Sequence, residues 1–207
     1  MKIDKLSIDG KKQSIEVLDK IFSAKVNNQL VSGVIYKLNA NFKGRKAKTK
    51  QRNEITGSTS KIYSQKGTGN ARHSSKKAPI FVGGGIAHGP KGQDNYKTRK
   101  MNKSEKKMSI ASLITEKNKS NNLIIFDDFG KKIEKTKEMF ELLKKFDANN
   151  SLLIVDTKSK DNILRSTKNI PNVKLTDANH FSAFDLVKYK KIIFTESSVK
   201  ELEKRYQ

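Results

Sequence analysis

The sequence has no cysteine among its 207 residues. Disulfides and thiolate metal sites are therefore excluded, and a reducing compartment is compatible with the composition. Long apolar runs are also missing. The longest, Leu123 to Phe126 and Leu152 to Val155, are four residues each, far short of the ~20 that span a bilayer. No membrane crossing is expected. The start, Met1-Lys2-Ile3-Asp4-Lys5-Leu6, is basic but leads into neither an apolar run nor a small-residue cleavage site, so no secretory signal is expected.

The most informative absences are local. Between Lys43 and Lys107 there is no leucine, and 3 Asp and Glu stand against 18 Lys and Arg. Only 13 of these 65 residues are apolar, never more than three in a row (Ile80-Phe81-Val82). That is too little apolar surface to offset the entropy of ordering, so the segment is expected to be disordered until a polyanion orders it. It carries +15 of the formal net charge of +23, leaving +8 on the other 142 residues.

Charge concentrated in this way calls for a polyanionic partner. Nucleic acid fits, because each phosphate neutralised by Lys or Arg releases condensed counterions. A membrane surface fits poorly: polybasic membrane binders pair charge with an apolar helical face or a lipid anchor, and glycines interrupt any such helix here. Seven of the protein's 12 glycines fall between Gly67 and Gly92.

Core-forming patterns lie on either side. Ile3, Leu6 and Ile8 alternate, and Ser14 is placed to cap a helix carrying Ile15, Leu18, Ile21 and Phe22. Leu30, Val31, Val34, Ile35 and Leu38 share one face of a helix over about 28–40. Beyond the basic segment, Met108, Ala111, Leu113 and Ile114 mark a helix. Leu123 to Phe126 then reads as a buried strand bounded by Asp127 and Gly130. Ile133, Phe140, Leu143 and Phe146 mark another helix, and Leu152 to Val155, Val173 to Leu175 and Ile192 to Phe194 mark three strands. A last helix opens on a capping-box pattern, Ser198 to Glu201. Continuous apolar strands alternating with helices indicate an α/β domain with a mostly parallel, four-stranded sheet covered on both faces. The simplest organisation is one domain, core 1–42 and 108–207, with residues 43–107 inserted as a long extended basic loop.

Within the insert the sharpest string is Gln65-Lys66-Gly67-Thr68-Gly69-Asn70-Ala71-Arg72-His73, followed by Pro79 to Gly85 and His88-Gly89-Pro90-Lys91. Glycines at Gly67, Gly69, Gly83, Gly84 and Gly85 let backbone approach closely. With Lys66, Arg72, Lys76 and Lys77 nearby, such a chain can thread between phosphates. Tyr63, His73, Phe81, His88 and Tyr96 are interspersed among the cations, where unpaired bases could stack on them. The alternative is that Tyr63, Phe81 and Tyr96 pin the loop to its own domain.

Other chemistries fit less well. Gly84 to Gly89 has the spacing of part of a phosphate-binding loop, but Pro90-Lys91-Gly92 stands where Lys and Ser or Thr are required. Gly67-Thr68-Gly69 lacks the third glycine of a dinucleotide fingerprint. Asp127, Asp128 and Asp156 close strands and could converge on Mg²⁺ for phosphoryl transfer; the competing reading, which we favour, is that they cap helices. His73, His88 and His180 fall in no metal-site spacing. No catalytic residue, metal or cofactor is expected.

The string from Lys48 to Lys91 resembles the bacterial-type L-four family of large-subunit ribosomal proteins. The matching residues are Thr49-Lys50-Gln51-Arg52-Asn53-Glu54-Ile55, Gly57, Lys61, Gln65-Lys66-Gly67-Thr68-Gly69, Ala71-Arg72, Pro79, Gly83-Gly84-Gly85 and Gly89-Pro90. The resemblance continues through Met101-Asn102-Lys103 and Asp177-Ala178 to Thr195 and the final helix. Three departures stand out: Ile62-Tyr63 where Pro-Trp is usual, Asn70 where Arg is usual, and Val82 where Arg is common.

The resemblance implies a three-layer α/β/α domain and a loop threaded into ribosomal RNA, acting early in large-subunit assembly. It further implies a loop tip, around Lys61 to Arg72, that helps line the polypeptide exit tunnel near the nascent peptide. Expected RNA-binding residues are Arg45, Lys46, Lys48, Lys50 and Arg52 at the loop's base, and Lys61, Tyr63, Gln65, Lys66, Gly67, Thr68, Gly69, Arg72, His73, Lys76 and Lys77 further in. Gly83, Gly84, Gly85, His88, Lys91, Lys97, Arg99, Lys100 and Lys103 complete them on the return. Expected partners are large-subunit ribosomal RNA and neighbouring ribosomal proteins, with the protein a monomer inside a cytoplasmic ribosome, bacterial rather than organellar. A free-standing nucleoid or transfer-RNA binder is the alternative that charge alone allows.

Overall fold

A computed structural model describes residues 1–7, 12–128, 135–156 and 160–206. Ile8, Gly130 and Ile133, used above as pattern markers, lie outside the described residues. The chain forms two compact units, residues 1–39 with 100–207, and residues 40–99.

The larger unit is built on a six-stranded sheet in the order β2-β1-β3-β6-β4-β5. The strands are β1 (Lys2–Leu6), β2 (Lys12–Glu16), β3 (Leu123–Phe126), β4 (Ser151–Val155), β5 (Val173–Asp177) and β6 (Lys191–Thr195). All neighbours run parallel except β1 and β2, which pair antiparallel with Ile3 opposite Ile15. The helices are α1 (Asp19–Phe22), α2 (Asn28–Lys43), α3 (Lys103–Lys119), α4 (Thr136–Lys145), α5 (Lys160–Thr167), α6 (Ala183–Lys188) and α7 (Glu196–Tyr206).

Period-2 alternation sends successive strand residues to opposite faces, and two apolar clusters result. Ile125, Leu152, Ile154, Ile192 and Phe194 face one cluster with Ile21, Phe22, Val34, Leu113, Ile114, Leu186 and Leu202. Phe126, Leu153, Val155 and Ile193 face the other with Met139, Leu143 and Ile163. Helices α1, α2, α3, α6 and α7 therefore cover one side and α4 and α5 the other, which is the three-layer α/β/α arrangement.

Three details correct the sequence reading. The sheet has six strands rather than four, because the first 16 residues supply a hairpin. Ser14 and Ile15 lie in β2, so Ser14 caps no helix; α1 begins only at Asp19. Ile15 is the one apolar residue β2 turns toward the core, too few for a strand period to show. The last helix starts at Glu196, so Ser198 lies inside it, fully buried, donating to the Thr195 carbonyl at 2.7 Å. The capping box belongs to Ser182 and Asp185 at α6 instead.

Candidate nucleic-acid interface

Residues 40–99 contain no leucine and show no apolar periodicity, so their backbone must find hydrogen bonds outside helix and sheet. It does so across the chain. Lys48 and Lys91 form an isolated antiparallel bridge. The Gly92 amide donates to the Ala47 carbonyl, Thr49 to Pro90 and Ile86 to Lys50, each at 2.9 Å. Further out, Gly85 donates to Lys77 at 3.0 Å and Ile62 to Ser74 at 2.8 Å. An outward limb thus runs beside a return limb, and the chain reverses between Ile62 and Ser74. One 3-10 turn, Gly92–Asn95, lies on the return. At the base, Asn41 donates to the Arg99 carbonyl at 3.0 Å and accepts from the Arg99 amide at 2.7 Å. Backbone pairing, rather than apolar burial, closes this unit.

Gly85 lets the two limbs approach, and Gly84 a turn within the return limb. A Cβ on Gly84 would collide with the Ala78 carbonyl oxygen, and one on Gly85 with the backbone nitrogen of Arg52. Gly67 and Gly69, at φ of +86° and +69°, supply the left-handed turns of the reversal. The described residues of this unit classed as buried are Ser75, Gly85 and Gly92.

Side chains consequently point outward. Arg45, Lys46, Lys48, Lys50 and Arg52 are exposed along the outward limb, Lys61, Lys66 and Arg72 around the reversal, and Lys76, Lys91, Lys97 and Arg99 on the return. Lys77 is half-buried. Lys100 and Lys103 are exposed too but belong to the larger unit, Lys103 opening α3. Of the acids, Glu54 sits 3.4 Å from Lys48 and accepts from the Gln51 amide at 3.0 Å. That amide, then the lysines, holds its carboxyl below the usual range.

The fold gathers some expected residues and separates others. Lys61, Lys76, Lys77 and Gly83 line one cleft, together with Ile55, Ile62 and Val82. Arg52 and Lys77 line a second, and Arg45, His88 and Lys91 a third. Gln65 accepts from the Lys61 ammonium. The rings have partners inside the unit. The Tyr63 hydroxyl donates to the Ala71 carbonyl, and Tyr96 donates to Ala40 at 2.9 Å. His73 meets Phe81 edge to face, with centroids 4.9 Å apart. His88 is exposed with φ +55°. Sequence reasoning did not single out Ile55 and Ile62 as site residues; isolated apolar residues in a basic stretch carry no period that would mark them.

Asp127 and Asp128, at the end of β3, serve the fold. Lys5 binds Asp127 at 2.7 Å and Glu196 at 2.8 Å, which raises the Lys5 ammonium's pKa, mainly through the Asp127 hydrogen bond. Asp128 accepts from the Ser197 amide at 2.9 Å and so caps α7. Asp156 follows β4 and is 7% exposed. His180 lies 3.0 Å from Asp177.

The sequence model of the ribosomal protein L4/L1 family matches residues 15–205. The chain is 74% identical over 206 residues to the large ribosomal subunit protein uL4 of Pelagibacter ubique (strain HTCC1062), covering 100% of both chains. It is 36% identical over 192 residues to the protein of the same name from Thermoanaerobacter sp. (strain X514), covering 93% of this chain and 92% of that one. Against the uL4 of Lachnospira eligens the identity is 33% over 201 residues, 97% and 96% of the two chains.

Proposed function

The chain belongs to the ribosomal protein L4/L1 family and is a structural, non-enzymatic constituent of the large ribosomal subunit; on that premise we propose that residues 40–99 bind large-subunit ribosomal RNA. They are an RNA-threading insert in an α/β domain. Arg45, Lys46, Lys48, Lys50 and Arg52 grip the backbone at its base; Lys66, Arg72, Lys76 and Lys77 do so further in. The reversal between Ile62 and Ser74 contributes to the wall of the exit tunnel, next to the nascent peptide. The RNA contacts form early in subunit assembly, and neighbouring ribosomal proteins complete the surroundings of a single copy. The setting is a bacterial cytoplasmic ribosome, a reading supported by the relative from Pelagibacter ubique.

One observation carries this reading. Residues 40–99 hold 14 Lys and Arg against 2 Asp and Glu, and among the described residues no buried hydrophobic one falls within them. A unit closed by backbone hydrogen bonds keeps most of its cations at the surface, where they can neutralise phosphates.

The test compares the intact protein with a variant in which Gly44 to Arg99 are replaced by a short Gly-Ser linker. Each is titrated with large-subunit ribosomal RNA across a salt series, with duplex DNA as competitor. We expect the intact protein to prefer the ribosomal RNA and the variant to lose most affinity with a shallower salt slope. Equal competition by DNA would replace the reading with a generic nucleic-acid binder.

A further inference from the structure

The cleft between the two limbs has more than charge. Its volume is about 460 Å³, inside the ~300–1,000 Å³ range of small-molecule sites. The outward limb contributes Ile55, Thr56, Ser58, Ser60 and Ile62, and the return limb Lys76, Lys77 and Val82. Among the described residues, no Asp or Glu lines it. Ile55 and Ile62 are half-buried, whereas Val82 is fully exposed. An apolar side chain held wholly in water, at the mouth of a cleft in a unit this cationic, lacks the cover that would offset its exposure. The Lys77 stem lies against Gly57, where an added Cβ would stand 3.6 Å from Cε, so this lysine forms part of the wall. The Ser58 and Ser60 hydroxyls are 2.7 Å apart and keep further donor and acceptor capacity.

We propose that this cleft receives a single unstacked nucleotide of the ribosomal RNA. The base lies against Ile55, Ile62 and Val82, the Ser58 and Ser60 hydroxyls meet the ribose, and Lys76 and Lys77 hold the flanking phosphates. This deepens, and rests on, the RNA-binding reading above. A duplex cannot enter a cleft of this size, and a peptide would find cations without matching acids; a splayed-out nucleotide offers an apolar face, hydroxyls and phosphate together. The cleft therefore adds a contact with one position of the RNA to grips that read no sequence.

The test uses the full chain with Ile80, exposed two residues from Val82 and not among the residues that line the cleft, replaced by the photoreactive residue p-benzoylphenylalanine, bound to large-subunit ribosomal RNA and irradiated. Cross-links confined to one nucleotide and its immediate neighbours are the expected result. Cross-links scattered over many helices would overturn the proposal. Thr56→Trp, which fills the cleft, should erase protection of that nucleotide from base-modifying reagents and weaken binding about tenfold. Unchanged protection with the cleft filled would also overturn it. The RNA-binding reading is judged separately: it fails only if the intact protein shows no preference for ribosomal RNA over DNA.

Discussion

The two units solve the same problem by opposite means. The larger one satisfies its backbone in a sheet and helices and gains stability by burying apolar side chains on both faces; Ile114, Ile125, Leu152, Ile154 and Phe194 are fully buried. Residues 40–99 satisfy their backbone by pairing two limbs and bury almost no side chain, Ser75 and two glycines being the buried positions described. In the first, side chains make the structure and the surface is incidental. In the second, the backbone makes the structure and most cationic side chains stay at the surface. Mutations should therefore separate cleanly: apolar truncations act on stability, and charge or glycine changes act on RNA affinity.

The largest separation should come from exchanging Gly44 to Arg99 for a linker, which removes 13 of the 44 Lys and Arg. Affinity for ribosomal RNA at low salt should fall on the order of a thousandfold, while urea unfolding of the remainder keeps its midpoint. A lowered midpoint would show that the sheet depends on the insert. The converse change is Phe194→Ala. Its ring packs edge to face on Phe22 and Phe181, with centroids 6.4 and 6.3 Å away. Urea denaturation should show a loss of about 3–5 kcal/mol, with the salt slope of RNA binding unchanged.

Gly85→Ala probes the limbs themselves. A Cβ there meets backbone that cannot move without opening the Ile86 to Lys50 hydrogen bond. RNA affinity should fall about tenfold or more, with no change in the urea midpoint of the larger unit; equal affinity would mean that the paired limbs are dispensable. The smallest effect belongs to Glu196, whose carboxyl is held below its usual range, chiefly by the Lys200 hydrogen bond and then by Lys5. A depressed carboxylate contributes stability above the unfolded-state value of 4.5, and that contribution is lost as pH falls through the folded value. Glu196→Gln should therefore reduce stability at neutral pH by about 1 kcal/mol or less and flatten the acid limb of the stability curve. An unaltered acid limb would remove Glu196 from the account.

Much of the larger unit was legible because its strands are apolar on both faces. Leu123 to Phe126 is β3 to the residue, and Leu152 to Val155 and Ile192 to Phe194 fall within β4 and β6. Helix α2 begins where its apolar face begins and outruns it by one turn. The N-terminal hairpin escaped notice because β2 is an edge strand with one inward residue, and Ile15, Leu18 and Phe22 also repeat at helical spacing. In the basic unit, charge and glycine content announced a partner, and the motif strings announced the family. The limb pairing was illegible, since backbone hydrogen bonds between Ala47 and Gly92 or Ile62 and Ser74 leave no trace in side-chain pattern. The same holds for the cleft, which exists only because the return limb brings Lys76, Lys77 and Val82 opposite Ile55 and Ile62.

The order of strands has a consequence for the protein's life before assembly. An open sheet ends in two strands with unpaired backbone groups, and such edges recruit other chains into aggregates. Here the terminal strands are β2 and β5, each carrying two charged residues: β2 reads Lys-Gln-Ser-Ile-Glu and β5 Val-Lys-Leu-Thr-Asp, whereas the central β3 and β4 read Leu-Ile-Ile-Phe and Ser-Leu-Leu-Ile-Val with none. Lys174, on β5, is also tied to Asp185 at 2.5 Å. Neighbouring copies meeting edge to edge would have to desolvate two charges on each edge strand, which keeps newly made chains apart before they join the subunit.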